Sequence, residues 1–265
     1  MIKKKIPDIQ SQIKEISDIL LMNGGFLNNP GLYTGEFGLV LFFTRYARFT
    51  QNEMYSDYAY DLIEKIQKRI DLDTSINYIQ GLTGIGSAFE YLVQNGFIEA
   101  DIDEVLEDFD KRIFLAYNPQ HLSVEEIIDV GCYALWRMSG NSIHKKMIRY
   151  TILPSIVNNM KTLGLSKDVV LFERITKTHD NSFTLEWHQL CQNVIPKGFW
   201  EQSNFYFTEL FMENVFFDKE NIHMGLQNGL AGCGISLLTK LDKDNSWISL
   251  LPYNFYTTND ESIPV

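Results

Sequence analysis

Cysteine is scarce in this sequence and never paired. Cys132, Cys191 and Cys233 lie far apart, with no Cys-x-x-Cys spacing among them. That is a reduced, cytoplasmic pattern, in which a cysteine serves by default as a small buried hydrophobe. Long apolar runs are missing too: no window approaches eighteen apolar residues, so no membrane span is expected. Three lysines fall within Met1 to Ile6 with no apolar stretch behind them, so no signal peptide is expected. Basic charge is in deficit, with 23 Lys and Arg against 34 Asp and Glu and a net charge of −11. This argues against nucleic acid or an anionic membrane as the main partner, and fits a soluble protein that meets a basic one. There is no βαβ alternation, no low-complexity linker and no charge block. Residues 1–245 therefore read as one domain, and 246–265, aromatic and then polar, as a C-terminal tail packing on or extending from it.

What the chain does hold is an ample core and a recurring glycine figure. Apolar residues make up 45% and aromatics 13%, which excludes a disordered chain. In Tyr78-Ile79-Gln80-Gly81-Leu82-Thr83-Gly84-Ile85-Gly86, two glycines three apart open a run with Ile85, Ala88, Phe89 and Leu92 on one helix face. The figure occurs earlier at Gly35 and Gly38, followed by Leu39 to Phe43, and again at Gly229 and Gly232, followed by Cys233 to Leu238. Three such elbows with the same sequel mark a repeat, and a period near 50 suits a pair of helices per repeat. Stepping 45 residues on from Gly81 reaches Glu126, in a worn copy where Gly131 keeps the place of Gly86 and Gly234. Glycine at these points lets a helix start close to another backbone and leaves its amides uncovered.

Read in order, the periodicity predicts helices over 8–21, from the first elbow to about Phe49, over 55–70, and from the second elbow to Asn95-Gly96. A further helix is expected over 101–117, closed by Asn118-Pro119. Ser123 followed by Glu126 is a capping-box signature for a helix to about Met138. Residues 142–163 look helical, bent or divided at Pro154. Residues 183–194 and 204–217 also read as helices, before the third elbow launches the last one. The fold class is all-α.

These elbows resemble those of the lanthionine synthetase C-like family, most closely over Tyr78 to Leu92 and Gly225 to Leu238. The resemblance implies an α/α toroid, a barrel of helical hairpins with its elbows gathered at one end around a cavity, here shortened or incomplete. It also implies modified-peptide biosynthesis, with a peptide substrate or a partner modification enzyme. In active relatives a zinc ion held by two cysteines and a histidine activates a substrate thiolate for addition to a dehydrated Ser or Thr. The chain departs from that pattern at each place that maps. The Cys-His pair before the elbow glycine falls on Gln227 and Asn228, the aspartate four residues before an elbow glycine on Asn77, and the active-site histidine on Glu125. The resemblance therefore implies a cyclase relative that has lost zinc and binds a peptide or partner without transforming it.

The candidate ligand-binding residues are Tyr33, Asn77, Tyr78, Gln80, Glu125, Gln227, Asn228 and His223, set beside the elbow glycines Gly35, Gly38, Gly81, Gly84, Gly229 and Gly232. They form either a polar-aromatic binding face or groups that satisfy the elbow backbone. No catalytic residue and no cofactor is assigned. His188 and Cys191, one helical turn apart, are the available metal candidates and define an alternative, a cyclase with a rearranged metal site. A second alternative is an α/α-barrel enzyme of another class, glycosidase- or epimerase-like, using acids such as Asp129, Glu125 or Asp180. Asp129 and Glu125 are four apart on one helix, where paired carboxylates are usually solvated.

Overall fold

The computed structural model describes residues 8–162 and 223–251, apart from Ala116, Pro119 and Asn228. These residues are all-α: no strand occurs among them, and none of their helices is long and apolar enough to cross a membrane. They fall into two compact groups.

The first group holds α1 (Ile9–Asn23), α2 (Glu36–Thr50), α3 (Glu53–Arg69) and α10 (Leu230–Asp242). Asp8 caps α1 by accepting from the Ser11 amide at 3.0 Å, and Asn52 caps α3 by accepting from the Met54 amide at 3.1 Å. α2 packs on α3 and on α10, and α1 packs on α10. α2 is buried almost all round, from Glu36 to Ala47, and its aromatics Phe42, Phe43 and Tyr46 stack with one another and with Tyr55. Its first residue, Glu36, is buried and paired with Lys65 at 2.5 Å and Arg69 at 2.8 Å. Arg69 also donates to the Leu27 carbonyl, so the basic end of α3 is tied to the loop entering α2.

The second group holds α4 (Leu82–Gln94), α5 (Ile102–Val105), α6 (Glu107–Asp110), α7 (Val124–Ser139), α8 (Lys145–Met147) and α9 (Leu153–Thr162), with a 3₁₀ turn at Ser246–Leu250. α4 packs on α7 and on that turn, and α7 packs on α9. Trp247, Ile248 and Leu250 are buried, so the start of the C-terminal stretch belongs to this core. The Tyr91 hydroxyl of α4 meets the Ser246 hydroxyl at 3.0 Å.

One helix expected to be single is broken, and another, expected to bend or divide at Pro154, does so. The stretch 101–117 divides at Leu106 into α5 and α6 and then widens into a π turn at Lys111–Leu115. The stretch 142–163 has a π turn at Ile148–Ile152 immediately before Pro154. There the physical reason is plain. Proline has no amide to give and its ring crowds the carbonyl four residues back, so the preceding turn widens to make room. The helices expected over 183–194 and 204–217 lie outside the described residues.

Candidate functional site: the glycine elbows and a buried carboxyl

The first glycine of each elbow is the N-cap of its helix. Gly35, Gly81 and Gly229 have φ of −113°, −116° and −134°, with ψ close to 180°. That is ordinary extended backbone, so torsion does not demand glycine. Space does. A Cβ on Gly81 would run into the carbonyls of Ser75 and Asn77, one on Gly35 into the backbone of Asn29 and Gly31, and one on Gly229 into the backbone of Gly225.

The close approach serves one hydrogen bond, repeated in the same register three times. The first helical amide donates to the carbonyl seven residues earlier: Glu36 to Asn29 at 2.8 Å, Leu82 to Ser75 at 2.9 Å, and Leu230 to His223 at 2.9 Å. This corrects the expectation that the elbows leave their leading amides uncovered, because that donor is spent on the chain's own loop. His223, whose side chain is exposed, contributes to the elbow through its carbonyl.

The other elbow residues are placed as follows. Tyr33 and Tyr78 are 1% and 0% exposed, so their rings sit in the core. Asn77 closes its own elbow: its carboxamide oxygen accepts from the Gln80 amide at 2.7 Å, and its nitrogen donates to the Ser75 hydroxyl at 2.8 Å. Gln80, Glu125 and Gln227 have exposed side chains. Within the first group, Gln227 and Tyr33 are brought together through backbone, the Gln227 amide donating to the Tyr33 carbonyl at 2.8 Å. Gly38 of α2 lies against the Leu226 amide, and Gly232 of α10 against the Leu226 carbonyl, so the backbone of one residue is held between two glycine-bearing helices. Gly84 is buried in the first turn of α4. Asn228, His188, Cys191 and Asp180 lie outside the described residues.

In the second group, elbow and neighbouring helix meet at Asp129. Its Oδ2 accepts from the Tyr78 amide at 2.9 Å. The residue is 2% exposed, which corrects the expectation of a solvated carboxylate. Burial, with Glu126 and Glu125 adding repulsion, pushes this carboxyl from 3.8 up to about 7, against the opposing pull of the Tyr78 amide. Its Oδ1 is buried without a hydrogen-bond partner among the described residues. Such a group changes charge at neutral pH.

Sequence reading missed a second polar centre in this group. Arg137 of α7 is fully buried and donates to Glu90 of α4 at 2.6 Å, to Asp103 of α5 at 2.5 Å and to Asp110 of α6 at 2.6 Å. The Tyr133 hydroxyl donates to Asp110 at 2.7 Å, and the Ile143 amide to Asp103 at 3.0 Å. Burial raises Glu90 despite its hydrogen bonds to Gln94 and Arg137, whereas the Arg137 hydrogen bond and the Ile143 amide outweigh desolvation and lower Asp103. The available signal was a charged residue interrupting each apolar stripe, Glu90 within Ile85–Leu92 and Arg137 within Val130–Met138. All four residues are committed to joining helices.

The residues at hand do not suit a zinc ion. Gln227 offers a carboxamide, a poor ligand beside thiolate and imidazole. Cys233 is buried, and burial pushes its thiol up to about 12. Among the described residues no three His, Cys, Asp or Glu side chains are grouped to hold a metal.

Comparison with known proteins gives one positive finding. The family model for lanthionine synthetase C-like protein matches residues 27–129, from the loop before the first elbow through the second elbow to Asp129. No curated protein and no solved structure matches the chain.

Proposed function

We propose that this lanthionine synthetase C-like chain is a binding protein of modified-peptide biosynthesis, holding a precursor peptide or a partner enzyme without carrying out cyclisation. The observation that supports this is the use made of Asn77. The resemblance puts an acid at that place. Here a carboxamide stands there and is spent on closing its own elbow, with both ends in hydrogen bonds. Gln227 and Asn228 replace the mapped Cys-His pair in the same way, and Gln227 is exposed. Carboxamides recognise peptide groups through paired donors and acceptors and do not transfer protons at neutral pH. The net charge of −11 favours a basic segment as ligand by steering its approach.

Calorimetric titration with a peptide encoded beside this gene tests this reading. Replacing Gln227 and Asn228 together by Ala should weaken binding by about 1–3 kcal/mol with the thermal melt unchanged, since each hydrogen bond contributes modestly. Unchanged affinity would remove the elbow face from the account. Elemental analysis giving about one zinc per chain, lost on Cys191→Ala, would replace the reading with a cyclase built around His188 and Cys191.

A further inference from the structure

The described residues bury four carboxylates: Glu36, Glu90, Asp110 and Asp129. Three of them face a cation from a neighbouring helix. Glu36 has Lys65 and Arg69, while Glu90 and Asp110 share Arg137. Asp129 has no cation among these residues. One of its oxygens is fixed by the Tyr78 amide, and the other is buried and unmatched. A buried carboxylate is stabilised when it is paired with a cation.

We infer that Asp129 is the anchor for an organic cation, the ammonium or guanidinium of a Lys or Arg side chain on a bound peptide, which completes the ion pair left open among the described residues. This rests on the peptide-binding reading above and names what the peptide must carry. The backbone hydrogen bond from Tyr78 holds the carboxyl against the second elbow, whose outer residues Ile79 and Gln80 are exposed. A long aliphatic stem can bury its methylenes while delivering charge at its tip. Glu125 and Glu126, one turn earlier on α7, add negative potential at the helix start. Glu90 on α4 is already matched by Arg137.

Proton linkage follows from the same geometry. Without a cation the carboxyl is close to half protonated at neutral pH, and pairing with a cation draws it to the carboxylate and releases the proton. Affinity should rise about tenfold per pH unit below 7 and level off above it.

The test is calorimetric titration of the full chain with a short blocked peptide bearing one Lys, its Arg counterpart and its norleucine counterpart. It is run between pH 5.5 and 8.5 in two buffers of different ionisation heat. The Lys and Arg peptides should bind with close to one proton released at the acid end and almost none at the alkaline end. The norleucine peptide should bind at least tenfold more weakly at pH 8. Asp129→Asn keeps an acceptor for the Tyr78 amide and should abolish both the proton release and the pH dependence. Glu64→Gln, at an exposed position on α3, should retain both. Should Asp129→Asn fail to fold, carbon NMR of the wild-type Asp129 carboxyl decides, its midpoint falling well below 7 when the Lys peptide is present. Absence of Lys-peptide binding, binding without proton release, or equal binding of the norleucine peptide overturns the anchor. If the precursor peptide still responds to the Gln227 and Asn228 substitutions, the binding reading survives that failure; if neither peptide binds, both fall.

Discussion

α4 and α7 pack against each other, and their starts stand one repeat apart, yet they are started by different means. α4 begins in backbone: Gly81 lets the chain fold onto itself so that the Leu82 amide reaches the Ser75 carbonyl. α7 begins in side chains: the Ser123 hydroxyl accepts from the Glu126 amide at 3.2 Å, and Glu126 accepts in return from the Ser123 amide at 2.8 Å. The worn repeat has thus exchanged a glycine elbow for a capping box. Further along α7, Arg137 ties it to α4, α5 and α6 through an ionic centre. The lesson is that a repeat can keep a helix in place while replacing the chemistry that starts it.

Breaking the ionic side of the comparison should have the largest effect. Arg137→Met leaves Glu90, Asp103 and Asp110 without their cation and should destabilise the protein by about 3–5 kcal/mol in urea unfolding. Adding Glu90→Gln and Asp110→Asn to that variant should recover part of the loss.

Next comes the carboxyl through which α7 touches the second elbow. Asp129 is raised in the folded chain, so between pH 4 and 7 the folded state holds a proton that the unfolded state has lost. That contribution to stability is fully present below about pH 4 and disappears as pH rises to about 7. Asp129→Asn should therefore gain on wild type across that window, by on the order of 2–4 kcal/mol at pH 8 relative to pH 4. Subtracting the two pH profiles isolates this residue from Glu90 and Asp103. Parallel profiles would contradict the burial argument.

Gly81→Ala should follow at about 2–3 kcal/mol, because the added methyl meets backbone carbonyls that cannot swing aside. The smallest effect belongs to the side-chain start. Ser123→Ala removes one capping hydrogen bond and should lower stability by about 1 kcal/mol. Equal losses for Gly81→Ala and Ser123→Ala in matched thermal melts would erase the distinction between the two starts.

The elbows and the capping box were legible because each is a local pattern with a physical signature: a glycine pair before an apolar stripe, or Ser and Glu three apart. The positions of α1 to α4 and α7 followed within a few residues for the same reason. The breaks at Leu106 and the two π turns were not legible, since they depend on how neighbouring turns pack. Only Pro154 announced one of them. Asp129 was visible as an acid but not as a buried one, because periodicity assigns a helix face without saying what covers it. Glu90, Asp110 and Arg137 are spread over 47 residues, and no local pattern links them. The exposure of Gln80 and Gln227 beside buried Tyr33 and Tyr78 likewise depends on which way each turn faces.

The seven-residue closure at each elbow also has a kinetic side. Initiating a helix is its slow, unfavourable step, since three residues must be fixed before the first bond forms. A loop this short closes on the order of 10–100 ns, far faster than helices find one another. Once the Ser75 carbonyl has captured the Leu82 amide, the first turn of α4 is already oriented, and elongation adds residues at nanosecond intervals. The partners are backbone atoms, so the loop between them can change, from Pro-Gly-Leu-Tyr-Thr before Gly35 to Ile-Asn-Tyr-Ile-Gln before Gly81. Three quick starting points, placed along the chain and indifferent to most of their own sequence, let a helical array of this kind begin folding in several places at once.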